Sequence, residues 1–347
     1  MIEIALASDA NYVCGLLVTA ASLARHADPS AEIRFNVLDG GIADSAWDDF
    51  VARVTKEHEK TSFRRLPVDD ERFAAFPEWN GKSRQAYARL LLPALLTDAD
   101  FVVYCDVDFL WCADVAELWT LRNSHAIVQS TPDGGMETRM REAPWFAARG
   151  LVYSPDRYFC SGLCFCNLKL WRELKVAEKV LDFLDAHTDV QFVDQSALNA
   201  VLGGMPLADG VVNVEMLPEK WQKMSRFTTA DDIERGCVIH YAGDTPWGRG
   251  WKTQPLTDLN LIWHAFNGSL TGGDEQTSLR RFFDPSDVLR RRILFALFST
   301  PVVRDLLFGL LHLTGRAGYL AWLRLCCRRL PWRRLAKVVA ERKERAG

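Results

Sequence analysis

The chain has 347 residues, of which 48% are hydrophobic, 11% aromatic and 25% charged, with a net charge of −3. That composition excludes a disordered chain and a collagen-like fibre, and it supports one large α/β domain with an appendage, or two domains. No apolar run reaches about 18 residues, so no membrane span is expected.

Ile2–Ala7 reads as a short apolar strand running into the polar turn Ser8-Asp9-Ala10-Asn11, and Tyr12–Arg25 has the spacing of an apolar helix. Ile33–Leu38 reads as strand, Ser45–His58 as helix and Ser62–Val68 as strand. Arg84–Leu96 follows as helix and Phe101–Cys105 as a buried strand. This alternation predicts a mostly parallel sheet with helices on both faces. Thr131–Arg157 is rich in Gly, Pro, Met and Arg and reads as a long loop with a short helix. Leu163–Leu168 reads as strand, Leu170–His187 as helix and Val193–Leu202 as a short helix. Val238–Tyr241 reads as a strand end before the Gly/Pro-rich turn Ala242–Gly250.

The opening Met1-Ile2-Glu3-Ile4 has no basic stretch ahead of an apolar one, so no secretory signal and a cytosolic start are expected. The nine cysteines follow no metal-ligand spacing, which predicts reduced, packed thiols.

Charge is unevenly spread. From Arg280 onward there are 16 Lys/Arg against 5 Asp/Glu, while the first 279 residues hold 26 against 40. An acidic body with a basic tail predicts an anionic partner for the tail. Ile293–Phe298 and Val302–Leu313 are apolar helical stretches broken by Pro301, and Tyr319–Arg334 interleaves Trp and Leu with Arg. That is the composition of an interfacial helix on anionic lipid. A helical subdomain with a solvated basic face has the same composition. No nucleic-acid module accompanies the segment, so no nucleic-acid partner is expected. The predicted division is 1–279 for the main domain and 280–347 for a basic amphipathic extension.

The most informative motif is Tyr104-Cys105-Asp106-Val107-Asp108. Two aspartates at i, i+2 after a buried strand put both carboxylates on one side at the edge where α/β sheets bind ligands. Paired hard oxygens suit Mg²⁺ or Mn²⁺. A second Asp-x-Asp, Asp98-Ala99-Asp100, precedes the strand and is expected to be a solvated turn. His240, ahead of Gly243, would complete an Asp/Asp/His site and favour Mn²⁺ over Mg²⁺. Asp194 and Gln195 open an apolar helix, where they either cap it or face a pocket.

Taken together, these pieces resemble glycosyltransferase family 8 over roughly residues 1–265. The resemblance rests on Ala7-Ser8-Asp9-Ala10-Asn11-Tyr12, Ala86-Tyr87-Ala88-Arg89-Leu90, Tyr104–Asp108, Phe159-Cys160-Ser161-Gly162 leading to Asn167–Trp171, Asp194–Asn199, Leu217–Trp221 and His240–Trp247, in the family's order. It implies a Rossmann-like mixed sheet of the GT-A type flanked by helices, with a C-terminal helical basic extension. It also implies a retaining hexosyltransferase that moves galactose or glucose from a UDP-sugar to a glycan or lipid-linked saccharide.

By that resemblance Ala7, Asp9, Asn11 and Tyr12 would hold uracil and ribose, and Arg89 the donor's sugar and phosphate. Val107, Gly243 and Trp247 would join the nucleotide-sugar contacts. Asp106, Asp108 and His240 would bind Mn²⁺, with Mg²⁺ possible. Asp194 would hydrogen-bond the donor sugar, and Gln195 would lie beneath the anomeric carbon. The expected location is peripheral, at the cytoplasmic face of the membrane. Thr131–Arg157 would cover the donor, and Trp145, Phe146 and Tyr153 would either stack on acceptor sugars or pack the loop down.

Three positions depart from the family's pattern: Cys160 stands for an Asn, Ser196 follows the Asp-Gln pair where an acid is frequent, and the closing motif is one residue shorter and lacks its Lys. Arg249 or Lys252 would have to supply that cation. Two alternatives follow. One is a nucleotide-sugar or membrane-surface binding protein without turnover, prompted by Cys160 and the missing Lys. The other is a nucleotidyltransferase, for which the acidic Ser8-Asp9-Ala10-Asn11 lacks the needed Gly-rich basic loop.

Overall fold

A computed structural model of the protein describes residues 1–78, 84–133, 135–206, 210–243, 245–248, 255–300, 303 and 327–341. The chain divides into two units. Unit 1 is Met1–Leu16, Ala27–Val107 and Asp114–Gln222, and unit 2 is Leu17–His26, Asp108–Ala113 and Lys223–Gly347.

Unit 1 is built on a seven-stranded sheet. Its strands are β1 (Ile2–Asp9), β2 (Ile33–Gly40), β3 (Thr61–Pro67), β4 (Phe101–Cys105), β6 (Ala126–Pro132), β7 (Phe159–Asn167) and β8 (Val212–Met216), while β5 (Phe109–Trp111) belongs to unit 2. The order is β3-β2-β1-β4-β7-β6-β8. The pairs β1–β2, β2–β3, β1–β4 and β6–β8 are parallel, and β7 runs antiparallel to both β4 and β6. The sheet is mixed, as the family resemblance implies. Strands β1 and β7 are buried along almost their whole length, as strands covered on both faces are.

Its helices are α2 (Asp44–Glu57), α3 (Leu92–Leu95), α4 (Val115–Thr120), α5 (Met136–Ala147), α6 (Leu168–Glu173), α7 (Val176–Ala186) and α8 (Val193–Gly204), while α1 (Val13–His26) runs from the turn after β1. Three differ from expectation. Arg84–Leu96 divides into a 3₁₀ segment, Gln85–Leu91, and α3, because Pro93 has no N–H to continue an α ladder and Leu92 N–H takes the Arg89 carbonyl instead. Leu170–His187 is two helices, split at Lys175 with φ 51°. Thr131–Arg157, expected as a long loop with a short helix, carries α5, which at twelve residues with Pro144 inside it is longer than expected. Trp145 and Phe146 are buried, so these rings pack the segment down. The core gathers Tyr87, Tyr104, Phe146, Phe159, Trp171 and Leu198.

Unit 2 holds a three-stranded sheet in the order β5-β10-β9, with β9 (Lys223–Met224) and β10 (Val238–His240). Its helices are α9 (Ala230–Arg235), α10 (Asp258–Leu270), α11 (Glu275–Phe282), α12 (Pro285–Ser299) and α13 (Trp332–Ala340). Thr257, Asp274 and Asp284 cap the N-termini of α10, α11 and α12, each accepting a backbone N–H three residues on. Leu335 and Val339, one turn apart on α13, are fully buried. Asp258 Oδ2 accepts the Leu330 N–H at 2.7 Å, and Arg334 pairs with Glu234 at 2.5 Å.

Among the described residues no helix is long and apolar enough to cross a membrane. Except for Val303, the stretch Val302–Leu313 lies outside the described residues, as do 319–326 of the Trp/Arg segment and the cations Arg249 and Lys252.

Candidate active site

The carboxyl edge of the parallel strands carries the expected polar residues of unit 1. Ala7 is buried near the end of β1, and Asp9 ends that strand opposite Gly40 of β2. Asp9 Oδ1 accepts the Asn11 N–H at 2.8 Å, and its carbonyl accepts the Tyr12 N–H at 3.1 Å, so the turn into α1 is held by its own aspartate. The Gln85 amide packs directly on Gly40: a Cβ there would lie 2.0 Å from Gln85 Nε2, so a larger residue would displace that side chain.

Asp106 follows β4. Its backbone N–H donates to the Gly162 carbonyl at 2.7 Å, which extends the β4–β7 pairing to the Asp-x-Asp segment. Its Oδ1 accepts from Tyr104 Oη at 2.9 Å and from Arg89 Nη2 at 2.8 Å. Arg89, only 3% exposed, donates Nε–H to the Ala86 carbonyl at 2.9 Å, and Nε lies 3.2 Å from Asp194 Oδ2. It also donates to the Ser161 carbonyl and stacks 4.0 Å over the Tyr104 ring. Burial works against the Arg89 charge. The Asp194, Tyr104 and Asp106 groups outweigh it and hold the guanidinium more basic than usual. Burial pushes the Asp194 carboxyl up, and Arg89 and Ser161 hold it back. Asp194 is therefore a buried, paired carboxylate and not a surface helix cap.

Gln195 is clamped at both ends. Its Oε1 accepts the Ser161 N–H at 3.0 Å, and its Nε2 donates to Asp133 Oδ2 at 2.9 Å and to Tyr158 Oη at 3.5 Å. Asp133 and Tyr158 had no sequence signal, because they sit in the irregular Thr131–Arg157 region and its edge with no motif of their own. Cys160 is buried, and burial raises its thiol well above the usual value.

In unit 2, Asp108 and His240 face each other across the ends of β5 and β10. His240 Nε2 lies 3.3 Å from Asp108 Oδ1, and the Tyr241 N–H donates to the Asp108 carbonyl at 2.9 Å. The imidazole stacks on Phe109 at 4.1 Å with planes 8° apart. Asp108 Oδ1 is buried with no hydrogen-bond donor among the described residues. A buried carboxylate oxygen without a hydrogen-bond donor, 3.3 Å from an imidazole nitrogen, fits a metal ligand set, because buried polar atoms ordinarily have a partner. Asp106 stands two residues earlier in the chain, in unit 1. Gly243 has φ +75°, a left-handed conformation that suits Gly in the turn after His240. Trp247 is buried against Trp263, ring centroids 5.1 Å apart.

The other Asp-x-Asp serves as an internal control. Asp98 is 54% exposed and pairs with Arg64 at 2.5 Å; that hydrogen bond lowers its pKa to about 2. The same letters before a strand make a surface ion pair.

The architecture and the site define a class, the GT-A glycosyltransferases. The fold is similar to the crystal structure of the galactosyltransferase LgtC in complex with donor and acceptor sugar analogs, with TM-score 0.62 and 26% identity over 81% of this chain and 100% of that chain. Among relatives, General stress protein A of Bacillus subtilis (strain 168) is 29% identical over 73% of this chain and 89% of its own length. The Lipopolysaccharide 1,2-glucosyltransferase of Escherichia coli (strain K12) is 26% identical over 73% and 75%. A family model described as Glycosyl transferase family 8 matches residues 3–250. The chain belongs to glycosyl transferase family 8, and it is a glycosyltransferase.

Proposed function

We propose that the protein is a retaining, metal-dependent hexosyltransferase that moves galactose or glucose from a UDP-sugar to a glycan or lipid-linked saccharide, of the lipopolysaccharide kind named for its relatives. The observation that carries the metal-dependent part is the buried Asp108 Oδ1, without a hydrogen-bond donor among the described residues and 3.3 Å from His240 Nε2, with Asp106 on the same short segment. Asp106, Asp108 and His240 would hold the metal, with Mn²⁺ favoured over Mg²⁺ by the imidazole. When bound, it would supply Lewis-acid stabilisation of the departing diphosphate.

The chain's own groups would bind and orient the donor. Ala7, Asp9, Asn11, Tyr12 and Val107 would take the nucleoside; Gly243 and Trp247 would form the turn over the diphosphate. Arg89, already fixed by Asp194 and Asp106, would reach the donor without reorganising, which is how fixed charge lowers a barrier most. Asp194 would hydrogen-bond the sugar, and Gln195 would present an amide beneath the anomeric carbon. The acceptor hydroxyl would form the new glycosidic bond as the bond to the diphosphate breaks, its proton passing to the diphosphate.

The same proposal places the protein peripherally at the cytoplasmic membrane face, through the basic residues 280–347. Leu289, Ile293 and Leu297 support it: they stand one turn apart on α12, 61%, 50% and 40% exposed, beside the exposed Arg290 and Arg292.

The deciding experiment follows UDP release from a panel of UDP-sugars with Mn²⁺, with and without EDTA. Metal-dependent release from one hexose donor is expected. UDP binding without release from any donor, with saccharide acceptors present, would favour a binding protein. No UDP binding would overturn the proposal.

A further inference from the structure

Helix α8 begins under strain. Val193, its first residue, has φ 41°, and a β-branched side chain rarely adopts that left-handed conformation. Strain of this kind persists only where neighbouring groups hold it, and it collects at functional sites. Here it lies immediately before Asp194 and Gln195.

The holding group comes from α5. Phe192 N–H donates to Ser196 Oγ at 2.8 Å, which closes the strained turn, and Ser196 Oγ donates its one proton to Glu142 Oε1 at 2.7 Å. Glu142 is fully buried, and its Oε2 has no donor in hydrogen-bonding geometry among the described residues. The Tyr158 hydroxyl lies beside this carboxyl and favours its charged form. Tyr158 Oη is also the oxygen 3.5 Å from Gln195 Nε2. A phenol has one proton. Turned toward Glu142, it leaves its lone pair for the Gln195 amide; turned toward Gln195, it meets an N–H.

We propose that Glu142 is a positioning residue: from α5 it orders Ser196 and Tyr158, and so fixes both the strained Val193 turn and the orientation of the Gln195 amide. This rests on the reading of Gln195 as the group beneath the donor sugar. The position after the Asp-Gln pair is Ser196, and the carboxyl arrives from another helix.

The device responds to pH. Burial raises the Glu142 carboxyl, Ser196, Tyr158 and Arg141 oppose it, Asp133 adds to it, and the net result is about 7. The groups facing it are Asp133 after β6, Arg141 on α5, Tyr153 and Tyr158 on the segment before β7, and Ser196 on α8. Below that range the protonated acid no longer draws the Tyr158 and Ser196 protons, and the amide loses its fixed orientation.

The test measures donor turnover against pH for the full-length wild type and for Glu142→Gln. The wild type should lose kcat on an acid limb with an apparent pKa near 7, at little change in KM. Glu142→Gln should lose that limb and fall about tenfold in kcat at alkaline pH, as expected for one disturbed hydrogen bond in a buried network. An unchanged limb in Glu142→Gln overturns the proposal, even if kcat drops, because a merely structural role lowers activity at every pH. Ser196→Ala is the second variant; losing a hydrogen bond to the carboxylate should move the limb to higher pH, and an unmoved limb counts against the proposal. Infrared difference spectra of wild type minus Glu142→Gln give a readout independent of turnover. A carboxyl fully ionised well below neutral pH overturns the proposal. Gln195→Ala separates the underlying reading: unchanged turnover there refutes the role of Gln195, while the infrared titration still reports on Glu142.

Discussion

Asp108 meets the end of β10 twice: its Oδ1 lies 3.3 Å from His240 Nε2, and its carbonyl accepts the N–H of the following residue, Tyr241, at 2.9 Å. The antiparallel pairing of β5 and β10 creates this relationship, because His240 pairs with Phe109, the residue after Asp108. Two residues some 130 apart in sequence are thereby set side by side by backbone hydrogen bonds, while the Phe109 ring fixes the imidazole plane.

Asp108→Asn and His240→Ala should each weaken Mn²⁺ binding by more than the roughly 10–100-fold that loss of a ligand's supporting partner costs, and reduce metal-dependent UDP release at least as much. Calorimetry with Mn²⁺ and UDP checks the first and a coupled UDP assay the second. Asp98→Asn, at the exposed Asp-x-Asp, should leave both unchanged. Equal Mn²⁺ affinity in wild type and Asp108→Asn would remove Asp108 from the ligand set.

Arg89→Met should destabilise unit 1 by about 3–5 kcal/mol, because it leaves Asp194 and Asp106 without their partner in a buried site. Adding Asp194→Asn should recover much of the loss, since the uncompensated buried charge is then gone. Urea unfolding of the two single variants and the double variant measures the coupling. Strictly additive losses would mean the two side chains act independently.

His264 makes unit 2 acid-sensitive. It is fully buried, with Nδ1 2.8 Å from Ser278 Oγ and Nε2 3.0 Å from the Pro246 carbonyl. Burial lowers its pKa from 6.5 to about 3, and the Pro246 hydrogen bond only partly opposes this. The folded state therefore keeps the ring neutral where the unfolded chain takes a proton. The resulting stability is complete above about pH 6.5 and is lost as pH falls toward 3, by at most about 1.4 kcal/mol per pH unit. Denaturation midpoints at stepped pH should show this slope in wild type and a shallower one in His264→Gln.

Vesicle binding is predicted to depend on exposed residues whose replacement spares the core. Arg280, Arg281 and Arg292 are exposed. At roughly 1 kcal/mol per basic residue near an anionic surface, replacing all three with Gln should weaken partitioning on the order of a hundredfold. Leu289→Ser with Ile293→Ser should weaken it further, and turnover of soluble donor should persist. Sedimentation with phosphatidylserine vesicles reads this. Equal pelleting of all variants would refute the tail as the anchor.

Much of unit 1 was legible in the sequence because its signals are local. The strands β1 and β4 are mostly apolar and bounded by polar turns, β2 and β3 alternate apolar and polar residues over part of their length, and the Asp106-Val107-Asp108 spacing follows from a strand's two-residue repeat. The family resemblance then supplied roles for Arg89, Asp194 and His240. The short strands β5, β8 and β9 were not legible, since two to five residues carry little periodicity and pair only because of what lies beside them. A short helix was expected within Thr131–Arg157, but the bounds of α5, which runs through Pro144, were not legible.

Sequence alone determined the α/β class, the family and the residue types available for chemistry, since these depend on composition and near-neighbour pattern. Only the tertiary structure decided that Asp108 Oδ1 lies 3.3 Å from His240 Nε2, that Arg89 is locked between Asp106 and Asp194, and that Glu142 reaches Ser196. Burial and hydrogen bonding between residues far apart in the chain determine those outcomes, because a charged group's cost and partner depend on what surrounds it and not on its neighbours in sequence.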